Sequence, residues 1–503
     1  MTTGKALNGK PYAGNPHVRF DEGEVASAEK PRRGSLLYKK TIFAFAILAG
    51  AVCAPACNGA LCDPAVFGFS SDARPEVNAA ALQKALDGGH KTVRVDTPGT
   101  YLMDRTVFID SDTRLEFAAG VVLKKATKYA NVLVNRGAFE YGANTNIVVK
   151  GLVVSVNGNE SIPPPGSPAP GLRGQLAFFR VNRVRVEDFR CEDLGRMQYC
   201  IHFVDFTDIV VDNFTIIGGK DGVHLNCGRN FVVRNGYCRT DDDTVAVNAG
   251  EWPGGCAPKI GSVENGVVEK LHVIPGGKAS FARAIAGSWK DWHPGMRLQR
   301  NDIVRSGRNV YAIYPMPLST NEIVSMTGPS HTNGVWRSPE GINFQFLQSD
   351  GATRAEVRNV TFRDIYTQGP NGILCTWEVN TPWARLVHPE IRPQDYPEID
   401  ITLENVTIDS GPNVSLISGS APATIRLRGV KSSGSLVNMH TLRGYSDVKR
   451  TILVTGSVFD GPARNDFIFA NPDAQIDLRL EANIEHRPAT VRAANPANVH
   501  VSR

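Results

Sequence analysis

The sequence predicts an all-β protein, a parallel β-helix (solenoid) closed at its N-terminal end by a capping α-helix. Three observations carry this. The hexapeptide Asp221–Asn226 (DGVHLN) recurs 22 positions later as Asp243–Asn248 (DTVAVN), with the alternating apolar residues coinciding copy to copy. A shorter pattern, apolar, any, Asn or Asp, apolar, recurs at Val186–Phe189, Val211–Phe214 and Phe362–Ile365, and at Val233–Gly236 with Gly in the last place. Its anchors Asp188, Asn213 and Asn235 step by 25 and 22 residues. Composition agrees: 503 residues with 42% apolar side chains, 48 glycines and 21% charged residues can bury a large core and favour strands joined by tight turns. Length alone suggests about three domains, but a solenoid grows in one dimension, so one long domain is the simpler reading.

Taken in order, residues 1–38 are polar, unpatterned and read as a disordered or mis-started preface. Lys39-Lys40, the apolar run Thr41–Val52 and the small residues Ala54-Pro55-Ala56 read as a signal peptide over 39–56. That run is shorter than the ~20 residues of a membrane span, so a secreted or periplasmic protein with no stable membrane span is expected. Arg32-Arg33 admits a twin-arginine signal, and Cys57 a lipid anchor, as alternatives. Residues 57–503 then form a single β-helix domain. Pro75–Leu86 has the spacing of an amphipathic helix ended by Gly88-Gly89, and hides the first rung of the solenoid. Strands begin at Thr92–Val95, and Ser161–Leu172 is a proline-rich rim loop. Looser copies of the repeat run through Ile147–Val153, Asn265–Val273 and Asn405–Ile408, and the 35-residue step from Asn235 to Lys270 is one coil with an inserted loop. From about Thr424 the rungs shorten and lose regularity, as a capping end would.

A net charge of +5 is small for this length, and no basic stripe interleaves with aromatics, so nucleic acid is not an expected partner. Among nine cysteines, Cys191 and Cys238 share a column two rungs apart, about 10 Å and too far to bridge. Cys191 with Cys200, or Cys227 with Cys238, could close short loops, and both stay open. No Cys/His set has zinc-ligand spacing, so neither a metal nor a cofactor is expected. A capped solenoid needs no partner copy, which makes a monomer plausible.

Stacking turns the repeat into chemistry. Asp221 and Asp243 occupy one place on successive rungs, about 5 Å apart, with Asp242 beside them and Asp241 preceding, so three carboxylates converge on an external face. His202 and His224 fall on one outward column, which Arg283 continues if it aligns with Ala246. Trp289, Trp292, Trp336 and Trp377, and Lys290 among them, are candidates for sugar contacts. Each has a structural alternative: a surface ladder for the histidines, a salt bridge to the aspartates for Arg283, the core for the tryptophans, and a turn or calcium cluster for the acids. Asn226 and Asn248 read as an amide ladder at a turn.

An Asp-Gly motif followed 21 and 22 positions later by an Asp-Asp pair and alternating apolar residues resembles the polygalacturonases, family 28 of the glycoside hydrolases, whose fold is a right-handed, pectin-lyase-like parallel β-helix. That family carries Asn-Thr-Asp, Gly-Asp-Asp, Gly-His-Gly and Arg-Ile-Lys on consecutive coils. Here Gly219-Lys220-Asp221 stands for the first, Asp241-Asp242-Asp243 for the second and Ala282-Arg283-Ala284-Ile285 for a relic of the last, while Gly-His-Gly is absent from the chain. The resemblance implies an exported hydrolase of a polysaccharide or oligosaccharide, pectic or uronate-containing, acting by inversion. Asp242 would be the general acid, and Asp221 and Asp243 would hold and deprotonate water. Inversion sets acid and base ~6.5–9.5 Å apart. A polysaccharide lyase on the same scaffold and a non-catalytic glycan-binding β-helix are the alternatives.

Overall fold

The computed structural model describes residues 60–503 apart from 164–166, 170, 251–256, 278–279, 300–301, 314–321, 331–333, 369–370, 377–389, 391–394, 410–422, 440–448, 460–464, 471 and 473–474. The expected signal segment and the preface before it lie outside these residues, as does Trp377. The predicted fold class is the one found. A single column of parallel partners runs Ile147, Val184, Ile209, Phe231, Gly266, Val360, Ile401, Ile425, Ile452, Leu478, Val501, one residue per coil. Alternate residues of each rung point inward, so most of this column belongs to one continuous apolar core.

The anchors explain themselves in backbone terms. Asp188, Asn213, Asn235, Lys270, Asp364 and Asn405 all have φ between 51° and 57°, the left-handed region. Asn and Asp tolerate it best among residues with a side chain. Their side chains also bond rung to rung: Asn213 Nδ2 donates to Asp188 Oδ1 at 2.7 Å and Asn405 Nδ2 to Asp364 Oδ1 at 2.7 Å. The glycine that ends Val233–Gly236 has a packing reason. Phe206, Phe214 and Phe231 each pair in register with a glycine on the next rung, Gly228, Gly236 and Gly266. A Cβ on Gly266 would lie 1.9 Å from the Phe231 ring. Gly266→Ala is therefore expected to cost about 1–3 kcal/mol by overpacking, read as a lower urea midpoint at unchanged m-value.

Pro75–Asp87 is the capping helix, with proline at its first position and Asn78, Ala79, Ala81, Leu82, Ala85 and Leu86 buried against the first coil. One expectation needs correction. A two-residue strand, Leu61–Cys62, precedes the helix and pairs with Thr92–Val93, so strands do not begin at Thr92; two residues carry no periodicity to read. The C-terminal rungs are shorter, as expected: Lys449–Thr455 and Gln475–Glu481 hold 7 residues each against 18 in Val223–Thr240, and they pair in register. Of the two disulfides left open, neither is formed: Cys191, Cys200, Cys227 and Cys238 are buried thiols, and Cys191 and Cys238 share a column through Ile216 as expected.

The stretch between Ile285 and Val357 is more than a loop. It holds a five-stranded sheet in the order Lys290–Asp291, Ile303–Ser306, Asn309–Ile313, Asn343–Leu347, Val335–Arg337. Ile303, Val310, Ala312 and Leu347 on one face join the solenoid core. Val304, Tyr311, Ile313 and Phe344 on the other make a second small core with Met296, Leu298 and Ile342.

Candidate active site

Two neighbouring rungs build the site. The Cys200 N–H donates to the Asp221 carbonyl at 2.9 Å, and the Gly222 N–H donates to the Asp243 carbonyl at 2.9 Å, which fixes Asp221 and Asp243 at the same corner of successive coils. Glycine at 222 is needed there, since a Cβ would stand 2.5 Å from the Thr244 carbonyl oxygen. Asp221, Asp242 and Asp243 each direct a carboxylate oxygen into one cluster, all within 4.8 Å of one another. This is shorter than the ~6.5–9.5 Å expected of an inverting pair: the side chains converge instead of splaying.

The carboxylates are also covered, which corrects the expected open face. Asp221, Asp242 and Asp243 are 3, 8 and 1% exposed. Lys220, itself buried, lies across them: its Nζ bonds Asp242 Oδ2 and stands 3.7 Å from Asp221 Oδ1. Arg283 flanks the other side, with Nε 2.9 Å from Asp243 Oδ2 and Nη2 3.9 Å from Asp242 Oδ1. Solvent meets the cluster at Asp242 and Arg283, whose side chains are 12% and 24% exposed. Arg283 aligns with Ala246 and so continues the histidine column, and its contact is the salt bridge to the aspartates.

Burial pushes the Asp221 carboxyl up, and the charge of Asp242 adds to this, outweighing Lys220 and His224. Burial also pushes Asp242 up, but the Lys220 ammonium and the Arg283 guanidinium overcome it and hold Asp242 well below the usual carboxylate range. The acidity order is thus the reverse of the one implied for a general acid at Asp242: of the two, Asp221 is the weaker acid.

His202 and His224 do sit on one outward column, since their neighbours Ile201, Phe203, Val223 and Leu225 line the core. They are fully buried, however, and not surface contacts. His224 Nδ1 is 2.6 Å from Asp221 Oδ2, and its ring stacks on Tyr199 at 3.9 Å with 10° between planes. His202 Nδ1 accepts the Arg173 N–H at 3.0 Å, which leaves the proton on Nε2 to be donated to Asn226 Oδ1 at 2.7 Å. Asn226 then donates to the Asn248 backbone carbonyl at 2.5 Å, so the two do not form an amide-to-amide ladder.

The other expected contacts separate from the trio. Asp241 is partly exposed and faces Arg196 at 3.6 Å. Trp289 is a core residue, 2% exposed, its indole N–H donated to the Ala352 carbonyl. Trp292 donates to Ser325 Oγ, and Trp336 lies 5.7 Å from Phe344; both pack on the second core. Lys290 is held in a strand paired with Val304. Trp289 thus belongs to the solenoid core, while Trp292 and Trp336 are partly buried against the inserted sheet. Lys220 and Tyr199 were not singled out by the sequence reading. For Lys220 a signal existed: the 22-residue step that sets Asp221 beside Asp243 also sets residue 220 beside Asp242.

No protein-family model matches the chain, and no curated protein does. Solved structures similar to it include a family 28 exopolygalacturonase of Yersinia enterocolitica, 15% identical, covering 84% of this chain and 78% of that one at a TM-score of 0.42. The A-module of the mannuronan C-5 epimerase AlgE6 of Azotobacter vinelandii is 11% identical, covering 88% and 99% at 0.46. The polygalacturonase of Erwinia carotovora ssp. carotovora is 11% identical, covering 90% and 99% at 0.40.

Proposed function

We propose that the chain is an exported glycoside hydrolase that cleaves a polysaccharide or oligosaccharide, with uronate-containing glycans the first class to test, using Asp221, Asp242 and Asp243. One observation carries this reading. Three carboxylates from two adjacent rungs meet within 4.8 Å in surroundings that drive the acidities of two of them in opposite directions. Groups with separated acidities are what acid and base catalysis at one glycosidic bond requires. Stability offers no comparable reason to keep them, because a buried ion network rarely outperforms apolar packing of the same volume. Substrate approaches from the Asp242 and Arg283 side, where the cluster meets solvent.

The test is a panel of pectic, rhamnogalacturonan and glucan fragments incubated with purified protein. New reducing ends without unsaturated-sugar absorbance are expected; a panel left wholly intact would count against the reading. Acids close enough to share a cation, with two basic side chains against them, are also the materials of a lyase. Lys220 and Arg283 already neutralise Asp242 and Asp243, so hydrolysis is favoured. Unsaturated products and loss of activity with a chelator would mark the lyase instead.

A further inference from the structure

Beyond the hydrolase reading, and outside the carboxylate cluster, we propose that the outward column Tyr237, His272 and Tyr366 binds a linear, anionic polysaccharide chain, one sugar to a coil. The three residues pair in register on successive rungs, Tyr237 with His272 and His272 with Tyr366. Their strand neighbours Cys238, Leu271, Val273 and Ile365 line the core, so the three rings between them point out. Ring centroids stand 5.4 and 5.3 Å apart, with His272 at 81° to the Tyr237 ring and 74° to the Tyr366 ring. Tyr237 is 44% exposed and His272 is exposed beside it, so folding leaves a stripe of large rings in water. The Tyr366 hydroxyl donates to Asp409 Oδ2 at 3.1 Å, which fixes the last ring.

The spacing selects the ligand. Stacked coils repeat the ring at close to the length of one pyranose unit, whose C–H face packs on an aromatic ring while polar tips meet the sugar hydroxyls. An extended peptide offers side chains to one face only every ~6.6 Å, two residues at ~3.3 Å each, and falls out of step within three coils. Charge sets the sign of the chain. Two residues beyond Tyr237, Arg239 is exposed on the same side of its strand and holds no ion pair among the described residues. The adjacent column is closed by its own pairs, Asp212 with Arg234 at 2.7 Å and Glu269 with Arg363 at 2.6 Å, so no continuous basic track runs beside the rings for a nucleic-acid backbone. The strand Val223–Thr240 leads from Tyr237 past Arg239 towards Asp241, about 13 Å at ~3.3 Å per residue, which puts the column next to the candidate active site.

Affinity gel electrophoresis of the full chain tests this without turnover, in gels carrying polygalacturonan, a neutral soluble glucan or polythymidylate. The chain should be retarded by polygalacturonan, and Tyr237→Ala and Tyr366→Ala should each weaken the apparent Kd about 5-fold. Arg239→Gln should weaken it too and make it less sensitive to salt. Thr215 stands on the preceding rung of the same column, so Thr215→Tyr lengthens the ladder and should tighten retention, a gain that a misfolded chain cannot give. Asp242→Asn should be retarded as strongly as the wild type. A wild type that polygalacturonan does not retard, retardation that survives both tyrosine substitutions, or retardation by the glucan or polythymidylate in place of polygalacturonan overturns the proposal. So does retention lost in Asp242→Asn and kept in the tyrosine variants, since the chain would then sit only at the trio. The fragment panel decides the hydrolase reading separately: an intact panel ends that reading, while retardation that depends on Tyr237 and Tyr366 still upholds the ladder.

Discussion

Asp242→Asn is expected to lower kcat/KM on a responsive glycan by on the order of 10²–10⁴, the usual contribution of a positioned acid or base, while glycan binding persists. The amide is nearly isosteric but neither takes nor gives the proton the reaction needs. It also leaves the buried Lys220 ammonium without its nearest anion. Breaking one partner of a buried pair costs about 3–5 kcal/mol, so this variant should melt earlier than the wild type, and its turnover should be read well below that temperature. The same pair sets the acid response of the parent. Because the folded state holds Asp242 below its unfolded value, the stability this pairing contributes is present above ~3.9. It is lost as pH falls through the lower, folded value.

Asp221→Asn is expected to abolish turnover to a similar extent and to move stability the other way. Folding raises the Asp221 carboxyl above its ordinary value, burial being the main cause. The folded state therefore binds a proton that the unfolded chain releases, and stability falls as pH rises from ~3.9 through the folded value. An asparagine has no proton to lose, fits the same place, and can donate to His224 Nδ1. A rise in Tm on the order of 1–3 °C at neutral pH is expected, measurable by calorimetry. Neighbouring carboxyl-to-amide changes of opposite sign in Tm, with shared loss of turnover, would be hard to obtain from a purely structural ion network.

Much of this molecule was readable from spacing because a solenoid converts sequence period into contact. The anchors Asp188, Asn213 and Asn235 were found as a repeat and turn out to share a left-handed φ. The alignment of His202 with His224 follows from the same arithmetic, whereas that of Ala246 with Arg283, 37 residues apart, was only conditional in the sequence and is found in the structure. What the period does not encode is coverage. Nothing in the repeat says that Tyr199 lies on His224, or that Lys220 crosses the acids, so the period gives an outward column without saying that it is covered. Lys220 is itself within reach of the 22-residue step, which sets residue 220 beside Asp242. The inserted sheet is illegible for a different reason: its strands pair antiparallel within Ile303–Leu347, outside the coil period, and nothing in that period places Trp289 in the core or Trp292 against Ser325.

The most direct test of the catalytic trio is a crystal structure of Asp242→Asn with a bound fragment of a glycan that the wild type cuts. A glycosidic oxygen is expected within hydrogen-bond reach, ~2.6–3.2 Å, of one of the three carboxyl positions, with the sugar entering on the Asp242 and Arg283 side. A fragment seated on another face of the helix, with the three carboxyl positions still covered, would contradict it.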